Sequence, residues 1–267
     1  MAESPMLAFD RARSFVADSG SRFDHLFLET VLGDRDVEAL AGEIESGQDE
    51  RGAIRPLRGC GEEGSEAGVE STVAALGYLE AVRRLDRPLV ERAVAFLSAQ
   101  QREDGSWCAA EEASEQERLL LSGTVCGILA KTPCVRDSVL RAATRFLDSL
   151  WAAERVQGSN YAAIAAYLRV MTNSPTDLAD EVVQYCGRAL ERGYRARKLD
   201  AVRTARVFVL CEVQALPGAR IRSDEAVAAL LATQEEDGGW AAPAEADPRA
   251  RIAATLDAVV ALRWLTA

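Results

Sequence analysis

The sequence holds a single histidine, His25, in 267 residues. Its six cysteines, Cys60, Cys108, Cys126, Cys134, Cys186 and Cys211, are scattered, with no C-x-x-C pair. Zinc sites of ordinary ligand spacing are thereby excluded, and the expectation is a protein that needs neither metal nor other cofactor. Cys126, Cys186 and Cys211 lie in apolar helical stretches, so the cysteines read as reduced thiols rather than disulfides. Positive charge is also short: 31 Lys and Arg face 42 Asp and Glu, for a net charge of -11. Such an excess repels phosphate backbones and argues against a nucleic-acid partner, and it does not favour anionic lipid. No apolar run approaches the length of a membrane span. The opening MAESPMLAFDRARSF lacks the basic-then-apolar pattern of an export signal. A cytoplasmic protein with no integral membrane segment is expected.

What the sequence does have is the composition of a helical protein, 48% hydrophobic and 27% charged, with Ala and Leu throughout. It also has a repeat. RAVAFLSAQQREDGSW, ending at Trp107, and EAVAALLATQEEDGGW, ending at Trp240, share one layout. Each is an apolar helical stretch followed by Q-x-x-D-G-x-W. The shared positions are Gln101, Asp104, Gly105 and Trp107 in one copy, and Gln234, Asp237, Gly238 and Trp240 in the other. A degenerate copy, AGEIESGQDERGAI, keeps Gln48 and Gly52 and has Ile54 where Trp would stand.

An Ala-rich apolar helix follows each copy, as in ESTVAALGYLEAV and LDAVVALRWL, and NYAAIAAYLRVM and VRTARVFVLCEV are of the same kind. Small residues let such helices pack on several sides, as an inner layer would. Helices such as PLVERAVAFLSAQQ carry charge on one face, as an outer layer would. Breakers at Gly33-Asp34, Asp86-Arg87-Pro88, Thr132-Pro133, Asn173-Ser174-Pro175 and Pro217-Gly218 divide the chain into pairs. Outer 36–48 pairs with inner 67–82, 87–101 with 116–131, 135–152 with 159–172, 178–193 with 199–214, and 223–234 with 250–265. Segment 6–32 supplies a further pair, with FDHLFLETVL as its inner member. The fold expected is all-α, a single domain over 1–267. Its hairpins would close a double ring, an (α/α)6 toroid, burying the apolar face of every unit. The long loops 49–66, 102–115 and 235–249 would gather at one end, with the inner-helix N-termini.

The segment Arg92 to Trp107 resembles the QW motif of squalene-hopene and oxidosqualene cyclases, K/R-G/A-x-x-F/Y/W-L/I/V-x-x-x-Q-x-x-x-G-x-W. Arg92, Ala93, Phe96, Leu97, Gln101, Gly105 and Trp107 match in register, and the second copy matches from Leu230 through Gln234, Gly238 and Trp240. The resemblance, shared more loosely with protein prenyltransferase β subunits, implies the toroid and an isoprenoid substrate. It implies a structural role for Gln101, Trp107, Gln234 and Trp240, in which Gln caps a neighbouring helix and Trp packs against it. Two departures matter. The D-x-D-D acid of class II cyclases is absent, its nearest relative being the Asp177–Glu181 cluster at the start of an outer helix. The late His of the prenyltransferase zinc site is absent too. A second likeness, Gly59-Cys60-Gly61-Glu62-Glu63, is similar to the G-C-G-E-Q thioester motif of the complement and α-macroglobulin family, but Glu63 replaces the Gln that chemistry requires.

Candidate site residues follow from polar positions on the inner helices. Glu70 and Asp257, desolvated by Ala, Val and Leu, would have raised pKa values and serve as general acid. The alternative for each is a first-turn carboxylate facing the helix dipole. His25 would orient the acid or act as a base, or else sit on the surface. Asp24, Asn160 and Tyr161 are candidate substrate contacts. Arg203 and Arg206, three apart, could clamp a carboxylate or diphosphate, or else pair with Asp200 or Glu212. Two functions follow: a terpene cyclase-like enzyme acting on a small isoprenoid or prenylated substrate, or a catalytically silent toroid that binds a hydrophobic ligand or a protein.

Overall fold

The computed structural model describes residues 4–57, 66–242 and 248–267. All twelve expected helices are present: α1 (Pro5–Ser19), α2 (Arg22–Leu32), α3 (Val37–Glu45), α4 (Val69–Ala81), α5 (Pro88–Ala99), α6 (Glu115–Leu129), α7 (Asp137–Ser149), α8 (Tyr161–Met171), α9 (Asp177–Arg195), α10 (Ala201–Cys211), α11 (Ser223–Ala232) and α12 (Pro248–Leu265). A 3-10 segment, Ala153–Ser159, precedes α8. Among the described residues the only β-type pairings are the isolated bridges Gln48–Ile54 and Ala215–Arg222. The chain is all-helical. Among the described residues, no helix is long and apolar enough to cross a membrane.

Local chemistry sets the helix starts. Ser4, Ser21, Asp36, Ser114, Asn160, Thr176 and Asp200 each accept a first-turn N–H through the side chain. Ser21 with Asp24, and Ser114 with Glu117, close full capping boxes.

The even-numbered helices pack on one another: α4 on α6, α6 on α8, α8 on α10, α10 on α12, and α12 on α2. Between α2 and α4, Tyr78 sits edge-on to both Phe23 and Phe27, with ring centroids 4.9 Å apart in each case. The odd-numbered helices lie against these: α3 on α2, α5 on α4, α7 on α6 and α8, α9 on α8 and α10, and α11 on α10 and α12. Helix α1 lies on both α2 and α12. Small residues permit the closest approach, between α6 and α8. A Cβ on Gly123 would come within 2.6 Å of the Ala166 Cβ, and one on Gly127 within 2.7 Å of the Arg169 Cβ. Buried side chains from every helix form one continuous core.

The Gln-to-Trp loops tie odd helices together in a fixed way. The Gln101 side-chain amide donates to its own loop carbonyl at Gly105 (3.0 Å) and to Val139 in the first turn of α7 (3.0 Å). Gln48 does the same to Gly52 (3.0 Å) and Leu89 of α5 (2.9 Å). Gln234 donates to Gly238 (2.8 Å) and to Ala8 of α1 (2.9 Å). The last such loop therefore grips the first helix as the earlier ones grip the helix that follows them. Trp107 and Trp240 are fully buried, and their indole N–H groups donate to Leu97 (2.7 Å) and Leu230 (2.9 Å) on their own hairpins.

Candidate functional site

Side chains from all six even-numbered helices line one cavity of about 250 Å³. Phe27 comes from α2, Tyr78 and Glu80 from α4, Thr124 from α6, Arg169 from α8, Arg206 from α10, and Asp257 and Trp264 from α12. A second chamber, about 400 Å³, adjoins it and shares Thr124, Arg169, Arg206, Leu210, Ala253 and Asp257 as wall. This second chamber adds Tyr161, Asp200 and Arg203, with small residues such as Ala162, Ala165 and Ala250. Most of the surface is aliphatic or Ala-rich, and the polar groups are nearly all charged.

The charged groups are arranged in pairs. Glu80 and Arg169 form a buried ion pair between α4 and α8. Lys131, just past the end of α6, meets Glu80 at 2.8 Å and Glu212 at 2.9 Å, and donates to the Leu210 carbonyl at 2.9 Å. Burial is the largest influence on the Glu80 pKa and pushes it up. The charges of Arg169 and Lys131 overcome it and hold the carboxyl below its ordinary value. Glu212 takes up its place with left-handed backbone, φ 55°, at the C-terminus of α10. Arg83, also left-handed with φ 57°, lies over the Trp264 ring at 5.5 Å at the cavity edge. Non-glycine residues in this conformation carry about 1–3 kcal/mol of strain, and such strain gathers at binding sites.

The wall shared by the two chambers carries an Arg206–Asp257 ion pair joining α10 to α12. Beyond it, Arg203 lies over the Tyr161 ring at 5.6 Å, and its Nε is 3.6 Å from Asp200. Burial pushes the Tyr161 phenol above its ordinary pKa, against the opposing pull of Arg206.

Four of the residues expected from sequence thus meet in one place: Tyr161, Arg203, Arg206 and Asp257. Asp257 is not the lone desolvated acid anticipated there, because it faces a guanidinium. Glu70 lies elsewhere, exposed in the first turn of α4 in a separate depression rather than desolvated on an inner wall. Asp24 is consumed by the α2 capping box, its carboxylate accepting from the Ser21 N–H (2.9 Å) and hydroxyl (2.7 Å). Asn160 caps α8, and its amide donates to the Arg155 carbonyl at 3.0 Å. His25 is half-buried on α2 and lines neither chamber. Glu80, Lys131 and Arg169 are site residues that sequence reasoning did not find. The available signal was a charge set within an apolar inner helix, as in YLEAV and YLRVM.

The thioester-like Gly59–Glu63 lies outside the described residues. Cys108, Cys126, Cys134, Cys186 and Cys211 are free thiols. Burial pushes Cys126 and Cys186 up to about 12, and Cys211 to about 11. Among the described residues, no group of three or more His, Cys, Asp or Glu side chains is placed to hold a metal ion.

No protein-family model matches this chain, and no curated protein matches it significantly. Among solved structures, it is similar to the crystal structure of a protein from Actinoplanes. The two are 14% identical with a TM-score of 0.62, and the match covers 99% of this chain and 100% of the other. At that identity the likeness is one of fold.

Proposed function

We propose that this chain is an α/α toroid of the QW-repeat kind, with even-numbered helices as the inner ring, and that it binds a small hydrophobic ligand between them. The ring is supported by the unbroken succession of even-helix contacts from α4 to α12 and back to α2, and by the grip of the Gln234 loop on α1. The ligand site is supported by the cavity to which all six even helices contribute. With its neighbouring chamber it falls in the range of roughly 300–1,000 Å³ typical of small-molecule sites. The likeness to squalene cyclases and protein prenyltransferases makes an isoprenoid-type ligand the first choice.

One observation favours binding over cyclisation. Each carboxylate lining the two chambers is matched to a cation: Glu80 to Arg169 and Lys131, Glu212 to Lys131, Asp257 to Arg206, and Asp200 to Arg203. A general acid that protonates an alkene must present a free carboxyl to it, whereas each of these groups is engaged by a cation, and for Glu80 the cations hold the pKa below its ordinary value. Trp264, on the cavity wall, provides the readout. Titration with farnesol or geranylgeraniol should give a saturable, 1:1 change in tryptophan fluorescence and a raised Tm, with the alcohol recovered unchanged. A cyclic product from these alcohols or their diphosphates would establish the cyclase-like enzyme instead. Absence of any saturable binding would overturn the ligand-binding reading.

A further inference from the structure

The second chamber adjoins a third space, of about 710 Å³, with which it shares Asp200, Val202, Arg203 and Ala241 as wall. Arg197 and Lys198 stand at its edge, both exposed. Among the described residues neither forms an ion pair. Cations then follow one another inward: Arg203, Arg206, Arg169, and finally Lys131 at the far end of the first cavity. Each of these inner cations has a carboxylate partner, so in a chain of net charge -11 the uncompensated positive charge lies at the Arg197–Lys198 edge.

The pairs along the route are not equivalent. The side chains of Arg169 and Glu80 are 7% and 12% exposed, locked between α4 and α8. Those of Arg206 and Asp257 are 40% and 36% exposed while lining both chambers, so their charged ends can be reached from within the passage. Arg203 is similarly open at 33%, and its Asp200 partner is already engaged in accepting the Arg203 backbone N–H at 2.7 Å. A negatively charged group arriving from the Arg197–Lys198 side would find Arg203 first. It would then find Arg206, held by a carboxylate of the same charge as itself.

We infer that the Arg203–Arg206 chamber is an oxyanion site, for the carboxylate or phosphate of an amphipathic ligand, and that Asp257 is the internal counter-ion the ligand displaces. The inference rests on the ligand-binding reading above and specifies which end of the ligand goes where. The apolar tail lies in the cavity beyond the Arg206–Asp257 wall, against Val73, Leu256 and Val260. The oxyanion takes over Arg206, and Asp257 swings off α12 into the wider chamber. Without ligand, Asp257 neutralises Arg206 in a wall that is only partly exposed. That same pairing taxes ligand binding, because it must be broken first.

The test compares decanoate with decanol, equal in tail and different in head, by calorimetry on the whole chain. Decanoate should bind more tightly by about tenfold or more, as charge-assisted hydrogen bonds to arginine require. Arg206→Gln should erase that preference, bringing decanoate down to the affinity of decanol for the same variant. Asp257→Asn should tighten decanoate severalfold, and any Tm it loses should be regained on adding decanoate. Equal affinity of the two probes in the native protein overturns the oxyanion site while leaving hydrophobic binding intact. Binding of neither probe removes the ligand reading and this inference with it. An Asp257→Asn protein that binds decanoate less tightly, or whose lost Tm decanoate does not restore, shows that Asp257 only supports the fold.

Discussion

At the scale of single residues, the glycines separate conformation from space. Gly33 and Gly105 both have left-handed backbone, with φ 87° and 90°. A Cβ on Gly33 would meet nothing within 4 Å, whereas one on Gly105 would lie 2.3 Å from the Ala142 carbonyl oxygen. Gly33→Ala should therefore cost only the conformational term, about 1 kcal/mol. Gly105→Ala must also push the loop off α7 and should cost about 3 kcal/mol. Urea unfolding of the two variants checks the difference. Glu80 gives a pH signature. Its folded pKa lies below the ordinary carboxylate value, so its ion pairs stabilise the protein fully above the unfolded value and are lost as pH falls through the folded one. Glu80→Gln leaves Arg169 and Lys131 short of a partner and should cost about 3 kcal/mol near neutral pH. That cost should shrink between neutral pH and a pH below the folded value, where native Glu80 is protonated as well. A cost equal at both pH values would contradict the assignment. These charges were hidden in the sequence for a physical reason. Glu80 and Arg169 are 89 positions apart. Inspection of each helix alone favours its N-terminal turn, where dipole arguments apply, and this cluster sits toward the C-terminal ends. Tyr161 and Arg203 were legible because they stand in the first turns of α8 and α10, and Arg206 because it follows Arg203 at helical spacing.

At the scale of elements, three loops perform one task with unequal equipment. In the two full copies the loop Asp is paired with an Arg of the following helix, Asp104 with Arg118 and Asp237 with Arg251. Each Arg also lies over a Phe of the next odd helix, Arg118 over Phe146 at 5.1 Å and Arg251 over Phe15 at 4.7 Å. In the degenerate copy the same register reads Arg51 for the Asp and Gly68 for the Arg, so both halves of the pair have gone together. What survives is the part made with backbone. The Ile54 N–H donates to the Thr72 hydroxyl at 2.9 Å, as the Trp107 N–H does to Ser122 at 2.8 Å. This explains why Gln and Gly persist while Trp does not: Gln48 and Gly52 make the inter-helix tie, and the indole only braces its own hairpin. The resemblance implied that Gln caps a helix. The carbonyls it reaches, Val139, Leu89 and Ala8, are acceptors in a helix's first turn, so it acts as a strut between helices. Gln101→Ala and Gln234→Ala should each cost about 1–3 kcal/mol, because two buried carbonyls lose a donor. Thermal unfolding measures this, and a cost below a few tenths of a kcal/mol would show the strut to be idle.

At the scale of the whole molecule, the helix pairing was legible because a repeat states its period openly and breakers mark each boundary. Which hairpin meets which was not written locally. It rests on Gln234 finding Ala8, a bond across 226 positions. That bond has a consequence in time. Helix α1 leaves the ribosome well before the loop that grips it, which is made 226 positions later. At ordinary rates of synthesis, roughly 5–20 residues per second, the interval is about 10–45 s. Throughout it, part of the apolar face of α1, with Ala8, Phe9 and Phe15, waits for α12 and the Trp240 loop. Joining the two ends is also the step of greatest sequence separation, and therefore of greatest entropic delay. The nascent chain thus has a long period in which α1 is made yet still adhesive. The expense of the α1–α12 contact is borne before it exists, by whatever shields α1 while the helices it awaits are being made.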